Sequence, residues 1–418
     1  MNERRNGAGN VRNRPKRILI YSHDSFGLGH LSRCRTIANS LVAQDKNLSV
    51  LILSGSPLIG SFDYRARVDF VRVPGVIKLR NGEYTSLNLL IDIEETLRMR
   101  ASIIEHTAEI FDPDLFLVDK EPLGLRGEVT NTLKMLKKRG CRLVLGLRDV
   151  MDEPTLLEPE WQRKKVVPAL RDLYDDIWIY GLPQLCDPVA GINLPKSVRH
   201  KMTYTGYLRR EMPTDDSQPA LLAKIERPYI LVTAGGGGDG QALVDWVLRA
   251  YEKDPSLPND AVIVFGPFMS PARQKEFRRR IENLSHVHAI TFESNLAALM
   301  SKAAGVVAMG GYNTFCEILS FDKRALIVPR TKPRLEQYIR ASAARALGLS
   351  NMLPEDGKRD AMVMATALRQ LPQQNLPSEV VIPGLLDGLP SVNKLVQRVL
   401  NIRPRRPAAV TDTMRKRA

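Results

Sequence analysis

The chain is poor in cysteine and has no long apolar run. Its four cysteines (Cys34, Cys141, Cys186, Cys316) lie far apart in 418 residues, with no C-x-x-C pair. That spacing excludes a disulfide framework and a paired-cysteine zinc site, and it points to a reducing, cytoplasmic setting. No apolar stretch approaches the roughly 20 residues that span a bilayer. The basic, polar N-terminus has no signal-peptide core. The six histidines show no metal-ligand spacing. His286 and His288 are two apart and would point to opposite faces of a strand. Glycine and proline, 28 and 27 residues, are scattered without a period, which excludes a collagen-like or mucin-like polymer. Also missing are G-x-x-x-x-G-K-[ST] and a full G-x-G-x-x-G with an acid about twenty positions on. A P-loop enzyme and a hydride-transfer enzyme are therefore disfavoured.

The chain does have an excess of positive charge, +15 from 61 Lys+Arg against 46 Asp+Glu. Residues 1–17 hold six Lys/Arg and one Glu, and residues 399–418 hold six Lys/Arg and one Asp, so each end carries +5. Such Pro- and Arg-rich ends read as solvated tails, which argues against nucleic acid as a partner. They leave room for a conditional contact with an anionic membrane surface. With 44% hydrophobic and 26% charged residues the body is that of a folded protein, and its length suggests two domains.

Short apolar runs alternate with amphipathic stretches along the body, the signature of βα repetition and parallel sheets. Strands are expected at 17–22, 49–54, 69–73, 115–118, 142–147, 176–180 and 201–205. Helices are expected at 31–43, 88–111 and 129–140. After a polar break at 211–227 a second series starts, with strands at 229–233, 261–265, 288–291, 305–309 and 325–328. Its helices are expected at 241–251, 314–320, 335–347 and 391–401. The expected organisation is a basic tail (1–16), a Rossmann-like acceptor domain (17–210), a linker (211–227), a Rossmann-like donor domain (228–370), an extension with a closing helix (371–402) and a second tail (403–418). The fold class is α/β, with two doubly wound domains facing across a cleft.

Three loops carry the chemistry. In Gly27-Leu28-Gly29-His30 the glycines let backbone approach closely where a strand feeds a helix, and the helix start suits a negative charge. His30 at that edge can act as a base near neutrality, although a tight turn with a capping histidine has the same pattern. The second loop, Gly235-Gly236-Gly237-Gly238-Asp239-Gly240, repeats the arrangement in the second half. In the third, Met309-Gly310-Gly311-Tyr312-Asn313-Thr314, a strand again ends in glycines. Asn313 or Thr314 can cap the following helix, whose free amides can hold a diphosphate. Glu317 can accept both hydroxyls of a ribose, or can simply stabilise the helix dipole. Arg330 and Arg334 can neutralise phosphate, and Glu336 with Gln337 can bond sugar hydroxyls. Arg148, Asp149 and Asp119 leave strand ends towards the crevice and are candidates to face an acceptor. A solvated loop ion pair explains them equally well.

The run from Phe292 to Gln337 resembles the donor-binding half of the GT-B glycosyltransferases, that is, the glycosyltransferase family 28 C-terminal domain. It is closest to the peptidoglycan enzymes that move N-acetylglucosamine from UDP to a lipid-linked acceptor. The resemblance implies that Gly310, Gly311, Asn313 and Thr314 hold the diphosphate, Glu317 the ribose, and Glu336 and Gln337 the sugar. It puts Phe292 beside the uracil. Gly235–Gly238 resembles the family's second glycine loop, and Thr205-Gly206-Tyr207 with Arg209 resembles the Thr-Gly-to-Arg run that enters its second domain. The stretch GLGHLSRCRTIANSL is similar instead to hydrolases that cleave UDP from an acetamido sugar, and both groups place the histidine near the reacting centre.

The expected activity is therefore an inverting transfer of a hexosyl or N-acetylhexosaminyl group from a nucleotide-diphosphate sugar to a lipid-linked or saccharide acceptor, with His30 as base. No cofactor and no donor-bound metal are expected. The rival readings are a nucleotide-sugar hydrolase and a non-enzymatic binding protein using the tails. The expected location is cytoplasmic, with a peripheral place on the inner face of the membrane left open.

Overall fold

The computed structural model describes residues 14–23, 29–79, 83–212, 219–236, 238–293, 295–355 and 357–401. The chain forms two parallel sheets. The first holds β1 (Lys16–Ser22), β2 (Leu48–Ser54), β3 (Val68–Arg72), β6 (Leu115–Asp119), β7 (Arg142–Arg148), β8 (Asp176–Tyr180) and β9 (Met202–Tyr204), in the order β3-β2-β1-β6-β7-β8-β9. A separate antiparallel hairpin pairs β4 (Val76–Lys78) with β5 (Tyr84–Ser86). The second sheet holds β10 (Tyr229–Thr233), β11 (Asp260–Val264), β12 (Val287–Ile290), β13 (Gly305–Ala308), β14 (Ala325–Ile327) and β15 (Asn351–Met352), in the order β12-β11-β10-β13-β14-β15.

The central strands are apolar runs because helices cover both of their faces. Leu115 to Asp119 and Tyr229 to Thr233 are buried throughout. In the helix Gly29–Gln44, Leu31, Cys34, Ala38, Leu41 and Val42 recur at helical spacing and are buried. The long helix starts later than the sequence suggests, at Ile93. Asp92 caps it by accepting the Glu95 N–H at 2.7 Å, while Leu89 and Leu90 before it are exposed. It ends where Asp112 turns left-handed (φ 46°) ahead of Pro113.

The two lobes share an apolar cluster, to which the second lobe contributes helices and not strands. Leu31 and Cys34 of the first lobe lie in one apolar cluster with Tyr312, Phe315, Cys316 and Leu319 of the second and with Val392 and Val396 of the last helix. That helix, Gly388–Val399, crosses back to the first lobe, where Asn393 Nδ2 donates to Ser40 Oγ at 2.9 Å. Tyr207 N–H meets Leu385 O at 2.8 Å where the chain passes between lobes. Gly206 is required there: at φ +90° its Cβ would stand 2.3 Å from Gly384 O. Of the stretch read as a linker, residues 213–218 lie outside the described residues. Leu221, Leu222 and Ile225 pack on the second lobe.

Candidate active site

The strand order of each sheet reverses at its switch point, between the parallel neighbours β1 and β6 in the first lobe and β10 and β13 in the second. A crevice opens there beyond the carboxyl ends of the strands. The three loops of interest leave from β1, β10 and β13. Gly27 and Gly237 lie outside the described residues, while Gly29, Gly235, Gly236, Gly310 and Gly311 lie at these openings. The lobes touch at this level: Asn313 Nδ2 donates to Gly29 O at 2.9 Å, and Asn313 Oδ1 accepts from Arg210 Nη2 at 2.7 Å. A chain of ion pairs closes the other side. Asp239 of the tetraglycine loop meets Arg330 at 2.9 Å, Arg330 meets Glu336 at 3.2 Å, and Glu336 pairs with Arg148 of the first lobe. These contacts tie the start of the His30 helix to the segment around residue 310, and the tetraglycine loop to the first lobe through Arg330 and Glu336.

His30 is the second residue of its helix and is about four-fifths buried. Its Nδ1 lies 2.5 Å from Asp119 Oδ2. Asp119 ends β6 and is buried, and it also takes Arg33 through Nε at 2.8 Å and Nη2 at 2.7 Å. Burial alone would raise the Asp119 carboxyl, but Arg33 and His30 hold it well below the usual range. Arg33 Nη2 also stands 3.1 Å from Nδ1, but it donates at the shorter 2.7 Å to Asp119 Oδ2. The 2.5 Å contact with an ionised carboxylate, which can only accept, assigns the proton of neutral His30 to Nδ1 and leaves the lone pair on Nε2. Burial lowers the His30 pKa below 6.5, and Asp119 opposes that shift.

Beside His30 lies a cavity of about 500 Å³ whose walls include His23, Tyr84, Lys120, Glu121 and Arg334. All but Arg334 belong to the first lobe. Burial holds the His23 pKa down to about 3, so this ring is neutral. It meets the His30 ring edge-on at 5.7 Å. Burial, with Arg148 nearby, lowers Lys120 to about 8. Burial would raise Glu121, but Lys120, His23 and Lys164 bring it to about 2. The wall is thus a mixed ionic surface with one apolar side, where Leu123, Leu125 and Val166 contribute. A polar, hydroxyl-bearing molecule fits it.

Several residues are placed differently from the sequence reading. Asp119 does not meet an acceptor directly; its oxygens are taken by His30 and Arg33. Asp149 is wholly buried, with both oxygens on Arg340 at 2.6 and 2.7 Å, so it too does not face an acceptor. Arg148 points across the cleft to Glu336. Glu336 therefore holds two guanidinium groups, and Gln337 Oε1 accepts the Arg330 N–H at 3.1 Å. Neither Asn313 nor Thr314 caps the helix Tyr312–Ser320, whose N-cap is Gly311 with no side-chain bond, so the first-turn amides stay uncovered. Glu317 is on that helix, and burial raises its carboxyl against the pull of Arg210. Phe292 follows β12 and is 48% exposed. The arginine that joins the lobes is Arg210 rather than Arg209: its N–H meets Ser320 Oγ at 2.9 Å, and its guanidinium bonds Thr36 and Asn313. The D-x-D triplet of the sequence, Asp112-Pro113-Asp114, lies at the opposite, amino end of the sheet. Arg14 and Lys16 hold it there at 2.9 and 3.0 Å.

Two doubly wound lobes facing across a cleft, with a last helix returning to the first lobe, form the GT-B fold. Residues 229–371 match the glycosyltransferase family 28 C-terminal domain. The chain is 24% identical over 398 residues to an uncharacterized glycosyltransferase of Methanosarcina acetivorans, covering 89% of this chain and 96% of that one. Among solved structures it is similar to the calicheamicin glycosyltransferase CalG4 (TM-score 0.58, 14% identity, 93% of this chain and 99% of that one). It is also similar to MurG of Acinetobacter baumannii (TM-score 0.54, 12% identity, 93% and 100%). A UDP-N-acetylglucosamine 2-epimerase shares the fold at TM-score 0.60, so the fold alone does not choose the reaction. The family 28 domain and the named relative do choose it: the protein is a glycosyltransferase.

Proposed function

We propose that the chain moves a hexosyl or N-acetylhexosaminyl group from a UDP-linked donor to a hydroxyl of a saccharide or lipid-linked acceptor, in one inverting displacement. The acceptor occupies the cavity beside His30, and the donor lies across the groove on the amides of residues 310–314. His30 Nε2 takes the acceptor hydroxyl proton as the oxygen attacks the anomeric carbon. The bond from that carbon to the diphosphate breaks, and its electron pair leaves with UDP. The imidazolium formed is stabilised by Asp119. The uncovered helix start at Tyr312 and the Arg330 guanidinium offset the charge that develops on the departing diphosphate, a task that needs no metal or cofactor in this reading. In this reading Glu317, with Arg210 nearby, takes the ribose hydroxyls.

The observation that carries this reading is the Asp119-oriented imidazole on the wall of a cavity that opens at the switch point of the first sheet. The purified chain is incubated with UDP-N-acetylglucosamine or UDP-glucose, with and without saccharide acceptors, and UDP release is followed. Acceptor-dependent release that falls on the order of 10²–10⁴-fold in His30→Ala supports it. Release that ignores acceptor favours the hydrolase reading, to which the GLGHLSR stretch is similar. Release unaffected by the substitution removes His30 as base. No helix among the described residues is long and apolar enough to cross a membrane. A membrane role in this reading falls to the basic tails, of which residues 1–13 and 403–418 lie outside the described residues. Binding to phosphatidylglycerol vesicles that is lost in high salt is its expected sign.

A further inference from the structure

The bond between Arg340 and the loop after β13 gives Asp149 a task that its burial alone does not explain. Asp149 follows β7 in the first lobe, and Gly181 makes room for it: a Cβ there would come 2.6 Å from the Asp149 Cβ. Besides Arg340, it accepts the Tyr207 hydroxyl at 2.8 Å. Arg340 belongs to the helix Glu336–Ala346 of the second lobe and is 1% exposed. Two of its nitrogens are committed to Asp149. The third, Nη1, donates to Gly310 O at 2.9 Å. Three donors in a rigid planar fork are needed for this, and only arginine has them.

In a trans peptide the carbonyl of one residue and the N–H of the next point in opposite directions. Holding Gly310 O towards the guanidinium therefore turns the Gly311 N–H away from it. That N–H has no acceptor among the described residues, and a Cβ on Gly311 would meet nothing within 4 Å. A peptide between two glycines is among the easiest to rotate, because neither residue has a Cβ to restrict it. Turned over, the same peptide would present a carbonyl oxygen where an anion is to bind. We propose that Arg340, clamped by Asp149 of the opposite lobe, is a positioning residue that fixes the Gly310–Gly311 peptide so that the Gly311 N–H donates to the diphosphate of the donor. This rests on the donor reading given above. The geometry of the donor loop is then set from the acceptor lobe.

The test uses the full chain and titrates UDP and uridine calorimetrically against wild type, Arg340→Lys and the volume-matched double variant Asp149→Leu/Arg340→Met. The lysine keeps a charge beside Asp149 but cannot also reach Gly310. The double variant leaves no unpaired buried charge, so it serves if the lysine variant does not fold. The expected result is UDP binding weakened about tenfold, the scale of one hydrogen bond to a charged group. Uridine binding is unchanged, and the unfolding temperature separates this effect from loss of fold. UDP affinity equal to wild type in a folded variant overturns the proposal. If wild type itself does not bind UDP, the donor reading fails on its own. A crystal structure of the variant then decides: a turned or two-way Gly310–Gly311 peptide supports the positioning role, and an unmoved one overturns it.

Discussion

Asp119 determines what His30 can do. Without a carboxylate at Nδ1, the imidazole is free to put its proton on Nε2 and lose the lone pair that the reaction needs. Asp119→Asn is expected to lower turnover on the order of 10²–10⁴-fold while donor binding stays near wild type, measured as kcat against the UDP dissociation constant. A parallel loss of donor binding would mean that the residue supports the fold of the groove instead. The pH profile follows from the same geometry. His30 must be neutral to act, and burial sets its pKa below 6.5. Activity should be level through pH 7–8 and fall only on the acid side of about 6.5. An acid limb centred above pH 7 would exclude a buried His30 as the base. The histidine was legible in the sequence because it stands where a glycine loop opens a helix. Asp119 was legible as a crevice residue but its pairing with His30 was not: it is 89 residues away, and only the parallel pairing of β1 with β6 brings it near. A weaker signal was present in Arg33, one helical turn after His30 and therefore on the same face, where an anion had to sit between them.

Among the elements, the loop after β13 allows two neighbouring glycines to be told apart. Gly310 has φ +78°, and its Cβ would lie 2.7 Å from Ile327 Cγ2. Gly311 has φ −59° and open space around it. Gly310→Ala should cost about 1–3 kcal/mol and move the unfolding temperature down by several degrees. Gly311→Ala should leave it nearly unchanged. Equal effects of the two in thermal unfolding would show that the loop is not held as described. The longer parallel strands were read to within a residue or two because buried parallel strands are continuous apolar runs, while β15 was missed, having only two residues of which one is buried. The helix Pro271–Ile281 was missed because only Phe277 on it is buried, so it has no apolar stripe to betray it. The hairpin β4–β5 escaped because strands of three residues are too short to show alternation.

At the scale of the whole molecule, the ionic wall of the groove ties stability to pH. His23 is buried and neutral, with a folded pKa of about 3 against an ordinary 6.5. The unfolded chain takes up a proton on this residue first, so its contribution is complete above pH 6.5 and is lost as pH falls towards 3. His30 shifts in the same direction. The carboxylates respond lower down. Glu121 has a folded pKa of about 2, and Glu336 and Asp119 are held lower still by their arginine partners. Their contribution is present above the ordinary carboxyl range and disappears only below about pH 4.5. Two stages of acid loss are therefore expected. From pH 6.5 to 4.5 His23 drives it, at up to about 1.4 kcal/mol per pH unit, and His30 adds to it in the same direction. Below that the carboxylates add to it. Because the lobes share one apolar cluster with the last helix, both stages should appear in a single unfolding transition. Urea midpoints at pH 7.5, 6.5, 5.5 and 4.5 measure the first stage. His23→Phe should reduce the slope there whatever it does to the absolute stability, since the phenyl ring cannot take a proton. A wild-type midpoint that stays flat between pH 6.5 and 4.5 would mean that both imidazoles are solvated. The groove would then be too wet to keep His30 neutral by burial.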